Sequence, residues 1–142
     1  MILFMTKIKK FGMITILCTI SGLLTFSGGY GWMCIAGAVI CGLLSDIILK
    51  VGKYESWKHM LLSYIIFNEW AVSTMLPMFI LKEAYLEPYR TSQGDDYVNS
   101  VLQLINYWMI PVVIICIAVA SIIGAYLGRA ILKKHFKRAG IV

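Results

Sequence analysis

The chain is 142 residues long, 60% hydrophobic and only 14% charged. Soluble domains carry about 25% charged residues, so a soluble globular protein is excluded. The net charge of +6 points to a membrane rather than to nucleic acid, because no basic folded domain accompanies it.

The apolar residues fall in runs near the roughly 20 residues that cross a bilayer. Taken in order, they predict four spans, at about 11–28, 31–50, 57–82 and 108–132, within one membrane domain covering 1–142. The expected fold is an all-α integral membrane protein: four transmembrane helices plus one outer amphipathic helix. The first two spans are joined by "SGGYGW" (27–32), whose length allows only a tight hairpin and whose glycines suit positive backbone angles. Residues 1–28 also have the layout of a signal peptide, with a basic lead, an apolar core and small residues at Ser27 and Gly28. The immediate start of a second span favours a retained first helix.

The basic residues orient the bundle. Lys7, Lys9, Lys10, Lys50, Lys53, Lys58, Arg129, Lys133, Lys134, Lys137 and Arg138 all fall on the side of the two termini. Only Lys82 and Arg90 fall on the other, beside Glu83, Glu87, Asp95 and Asp96. The positive-inside rule then places both termini, and the basic tail 133–142, in the cytoplasm.

Segment 83–107 is expected outside. It begins polar, is expected to break at Pro88 and Gly94, and then turns periodic. From Asp95, a candidate N-cap, Val98, Val101, Leu102, Ile105 and Trp108 recur at helical spacing. That pattern fits an amphipathic helix lying on the interface or folding over the bundle mouth.

The chemistry is sparse. Cys18, Cys34, Cys41 and Cys116 lie singly in apolar runs, far in sequence from His59 and His135, so they read as packing residues and not as a metal site. No HExxH, GxSxG or P-loop is present, so no enzyme is expected and no cofactor is implied. Asp46, near the inner end of the second span, is expected to snorkel or to pair with Lys50 four residues on. Small residues at Ala120, Gly124 and Gly128 let another helix approach closely, from within the chain or across a subunit interface; Cys34, Ala38 and Gly42 repeat the spacing.

Glu69 is the exception. It lies about a dozen residues from either end of the third span, near the bilayer midplane. An ionised acid there costs about 3 kcal/mol or more, so it must face the interior, stay neutral or find a partner. Ser73 follows one turn on. Pro77 frees the carbonyl of Ser73 and is expected to kink the span there, and Trp70, Thr74 and Pro77 form an adjacent stripe. Together they suggest a solute pocket open to the outside, with a buried packing acid as the plainer alternative.

The stretches "KKFGMITI" (9–16), "GLLSDIILKVGKY" (42–54), "MLPMFILKEAYLE" (75–87), "WMIPVVI" (108–114) and "LKKHFKRAGIV" (132–142) resemble the MptD family of energy-coupling-factor transporter S components, also called Trep_Strep. The resemblance implies a solute-binding membrane subunit, whose partners are a transmembrane coupling subunit and two ATPases. It also implies that the four spans correspond to spans three to six of a six-span S-component bundle, with Met1 falling where the second span ends. Trp32, Glu69, Ser73, Tyr85 and Trp108 are the residues expected near the solute. The family pattern does not require the acid, so Glu69 rests on its physics alone. The alternatives are a proton-coupled antiporter of the small multidrug type using Glu69, or a non-transporting remnant membrane protein.

Overall fold

A computed structural model describes residues 2–136. Among these residues the chain is helical, with no strand: α1 (Ile2–Lys7), α2 (Met13–Ser27), α3 (Met33–Val51), α4 (Trp57–Glu69), α5 (Val72–Ile80), α6 (Lys82–Gln93), α7 (Asp95–Leu104) and α8 (Met109–Phe136). The first residues of the expected tail continue α8, and residues 137–142 lie outside the described part.

The long helices form an up-and-down row in the order α2, α3, α4–α5, α8. Small residues set the spacing within it. A side chain on Gly22 would come within 2.7 Å of Ala38 Cβ, and one on Gly42 within 2.8 Å of Thr15 Cα. Cys18, Cys34 and Ala38 are completely buried along the same seam, so the expected stripe at Cys34, Ala38 and Gly42 packs on α2. None of the four cysteines is in a disulfide. At the turn between α2 and α3, Gly29 and Gly31 take positive φ angles of 90° and 81°, as the "SGGYGW" hairpin requires.

Between α3 and α4 two buried serines clasp each other. Ser45 Oγ donates to the carbonyl of Ser63 at 2.9 Å, and Ser63 Oγ returns a bond to the carbonyl of Ser45 at 3.0 Å. One interface further along, a side chain on Gly37 would overlap that of Ser73. Gly37→Val is therefore expected to push α5 off α3 and destabilise the chain by about 1–3 kcal/mol, measured as a lower unfolding midpoint in mixed micelles. An unchanged midpoint would refute this contact.

Three expectations gain detail from the structure. First, among the described residues α3 and α8 are the helices long and apolar enough, by length and composition, to cross a membrane unaided. The third span reaches that standard together with α6, into which it turns by 79°. At 15 residues, α2 extends only roughly 22 Å against a hydrocarbon core of about 30 Å. Second, the third span is interrupted at Trp70–Ala71 and not at Pro77. There Ala71, Ser73 and Thr74 bond three residues back, to Asn68, Trp70 and Ala71, the tighter pattern of a 3₁₀ turn. Pro77 continues α5, buried, its ring about 3.8 Å from where a side chain on Gly31 would begin. Third, α6 runs through Pro88 and stops only at Gly94, whose φ is 88°. Pro88 and Ala84, whose carbonyl the proline leaves free, lie on the exposed side, where the lost bond is not buried.

Beyond Gly94, α7 folds back along α6. Val98 and Ile105 close a small core with Leu86 of α6 and Phe79 of α5, so the predicted apolar face is seated on protein. Trp108 is not part of that face; it stands 65% exposed. Asp95 does not cap α7 either; its carboxylate accepts from Arg90 Nη1 at 2.9 Å across the Gly94 turn. This contact holds the Arg90 guanidinium above its ordinary range. Lys82 fastens the other end of the hairpin. Its Nζ donates to the Ile105 carbonyl at 2.8 Å and sits 4.7 Å over the Tyr107 ring. Lys82→Met is expected to cost about 1 kcal/mol locally and to speed hydrogen exchange at residues 102–106 several-fold. Exchange at the wild-type rate would remove Lys82 from this role.

At the opposite, basic end, Met5 of α1 is buried with Ile14, Leu49 and Met60. The basic lead is thus part of the packed structure. Of the two long apolar helices α8 is the less covered; it packs on α4, touches α1 and α5 more lightly, and presents its other sides to the surroundings.

Candidate functional site

The polar groups of interest gather at mid-depth on the third span, and they divide between its two faces. Glu69 ends α4 and Ser73 opens α5. Both look toward α3: Ser73 packs against Gly37, and Glu69 lies within electrostatic reach of Cys41. The Ser73 hydroxyl is already committed, donating to the Trp70 carbonyl at the helix break. Glu69 differs. Among the described residues, its two carboxylate oxygens are the buried side-chain polar atoms with no hydrogen-bond partner.

Asp46 shows what a structural acid looks like in the same protein. It is 1% exposed. It accepts from the Thr15 amide at 2.8 Å, from the Thr15 hydroxyl, and from the Ile14 amide at 3.4 Å. These are free amides of the first turn of α2, whose own N-cap, Gly12, supplies no side-chain bond. Asp46 therefore caps α2 from α3 rather than pairing with Lys50, which sits over the Phe11 ring at 5.3 Å.

The opposite face of the third span looks toward α8. Tyr64, Asn68 and Ala71 line a groove of about 270 Å³ together with Ile117, Ala120 and Ser121 of α8. Of these residues the sequence singled out Ala120 alone, as a packing residue. The one available signal was a Tyr and an Asn four positions apart in an apolar span. Gly124 lies beside this groove, next to the Tyr64 hydroxyl within the same chain, and Gly128 is half-buried one turn on.

The three remaining solute-site residues sit at the hairpin end. Trp32 precedes α3 and is 66% exposed. Tyr85 is half-buried on α6, its ring 6.2 Å from that of Tyr89. Burial first, then Tyr89 and Tyr30, push its hydroxyl above the usual tyrosine range. Trp108 lies between α7 and α8. Glu69 and Ser73 thus share a face, while the aromatic residues lie a half-span away.

The sequence profile of the Trep_Strep family, described as a hypothetical bacterial integral membrane protein, matches residues 1–138. The chain belongs to the Trep_Strep family. No curated protein and no solved structure matches it. Membership makes this Trep_Strep chain an integral membrane protein, in keeping with the long apolar helices α3 and α8. The broad apolar surface of α8 is then a lipid-facing surface, as the bilayer allows. Among the described residues no group of three or more metal-ligating side chains gathers.

Proposed function

We propose that this protein is the solute-binding membrane subunit of an energy-coupling-factor type uptake transporter. In this proposal it takes a small solute from outside and depends on a separate transmembrane coupling subunit and two ATPase subunits. Both termini lie in the cytoplasm, where eleven of the thirteen basic residues gather. The α6–α7 hairpin then covers the outer mouth.

The observation that carries this reading is the Glu69 carboxylate, buried at mid-membrane and without a partner. Ionisable groups in spans mark solute, ion or proton paths far more often than scaffolding. Asp46 sharpens the point, since the scaffolding acid of this chain is fully hydrogen-bonded. The break at Trp70–Ala71, directly after the acid, leaves the span able to bend where a solute or proton would be exchanged. The likeness to S components supplies the coupling partners.

Co-expression with a coupling subunit and its ATPases should yield a detergent-stable complex. Absence of any complex would overturn the assignment. The same orphan acid also favours a second reading, proton-coupled antiport. Ethidium efflux that continues without ATP and stops with a protonophore would establish that reading instead.

A further inference from the structure

We propose that the groove between α4 and α8 is a binding site for a small, uncharged amphiphilic solute, held by Tyr64, Asn68 and Ser121. This goes beyond the Glu69 reading: it places a solute on the opposite face of the third span and gives it a chemical class.

Three observations point there. The groove lies at mid-depth: Tyr64 and Asn68 occupy the middle of the third span, and Ile117, Ala120 and Ser121 the middle of α8. Water is scarce at that level, so each polar group must find a partner in protein or ligand. Ser121 has none. The residue is only 5% exposed, and its hydroxyl, which opens to the groove, makes no hydrogen bond among the described residues. That is not the habit of this chain's helices. Thr19, Ser21 and Thr25 of α2 each donate to the carbonyl four residues back, at 2.7, 3.0 and 2.9 Å.

Asn68 contributes the complementary function. Its amide nitrogen donates to the Tyr64 carbonyl at 2.9 Å, which fixes the side chain and leaves the amide oxygen as an acceptor. The Tyr64 hydroxyl completes the set beside Gly124, within van der Waals reach of where a side chain there would begin. Two hydroxyls and an amide oxygen offer both donors and acceptors at one edge. Ala71, Ile117 and Ala120 provide an apolar remainder.

The class of solute follows from what is missing. No charged residue lines the groove, and Glu69, adjacent in sequence, faces α3. An ionic ligand would lose its hydration with no countercharge to replace it. A volume of about 270 Å³ lies at the lower end for ligand pockets. It suits a molecule of one ring with a polar edge.

The test uses the full chain in lipid nanodiscs and four isosteric probes: benzamide, benzyl alcohol, benzoate and benzylammonium. Saturable binding of the two neutral probes is expected, with the charged pair at least tenfold weaker. Ser121→Ala should weaken benzamide about tenfold, the worth of one hydrogen bond. Ala71→Leu should abolish binding by filling the groove while leaving the unfolding midpoint in place. Equal binding of all four probes, or benzamide binding that survives Ala71→Leu, would overturn the site. So would quantitative cross-linking between copies through Ala120→Cys in a Cys116→Ser background, which would seat a helix there. Neither result depends on the coupling-subunit complex, so failure of that assembly and failure of this site are read separately.

Discussion

Asp46→Ala is expected to destabilise the protein by about 3 kcal/mol, the larger share of it at the start of α2. The side chain is 1% exposed and satisfies the Thr15 amide, the Thr15 hydroxyl and the Ile14 amide together. Ordinary capping substitutions cost about 1 kcal/mol because water can take over the freed amides. Here water cannot reach them, and each buried donor left unmet costs about 1–3 kcal/mol. The negative charge also faces the positive end of the α2 dipole. Asp46→Asn keeps an acceptor and loses the charge, so roughly half the penalty is expected. Reversible unfolding in mixed micelles gives the energies, and hydrogen exchange at Ile14 and Thr15 gives the location. An alanine variant within about 0.5 kcal/mol of wild type, with those two amides still protected, would mean that α2 is capped by something else.

Why the sequence named this acid but not its partners is a matter of distance along the chain. Patterns that repeat within one helix were legible: the apolar spans, the glycine turn at 27–32, the α7 face, and the small-residue stripe of α3. Contacts between helices were not. Asp46 meets Thr15 across 31 positions of sequence, whereas a local rule offers it Lys50. Ser73 was read as pocket-lining because it follows Glu69 by one turn. That shared face is real, and at Ser73 it packs against Gly37 of α3, a contact the spacing within one helix does not reveal. The two prolines misled for a related reason. Proline removes a donor wherever it stands, yet only the surroundings decide whether the helix yields there. Pro77 is held by its neighbours, Pro88 has its solvent side, and the span gives way instead at Trp70–Ala71. The α4–α8 groove stayed hidden because Tyr64 and Ser121 are polar singly and meet only in three dimensions.

Glu69→Leu is expected to do the reverse of Asp46→Ala, raising stability by about 1–3 kcal/mol while removing the function that depends on the acid. The sign follows from the two carboxylate oxygens, both buried and both without a donor. In an apolar interior a polar group in that condition costs free energy whether it is ionised or neutral, and more when ionised. Leucine is similar in bulk and adds no polar atom, so it relieves the cost without opening a large cavity against α3. Glu69→Gln removes the charge but keeps an amide that still needs partners, so a smaller gain is expected. Proteins retain such a cost where activity requires it, and stabilising changes at those positions characteristically lose function. Unfolding midpoints of the three forms, measured beside solute uptake or proton exchange, test both halves together. A Glu69→Leu variant that is less stable by more than about 1 kcal/mol would show that the acid is satisfied in the folded protein. It would then be scaffolding like Asp46, and the case for a solute path through this face of the third span would fall with it.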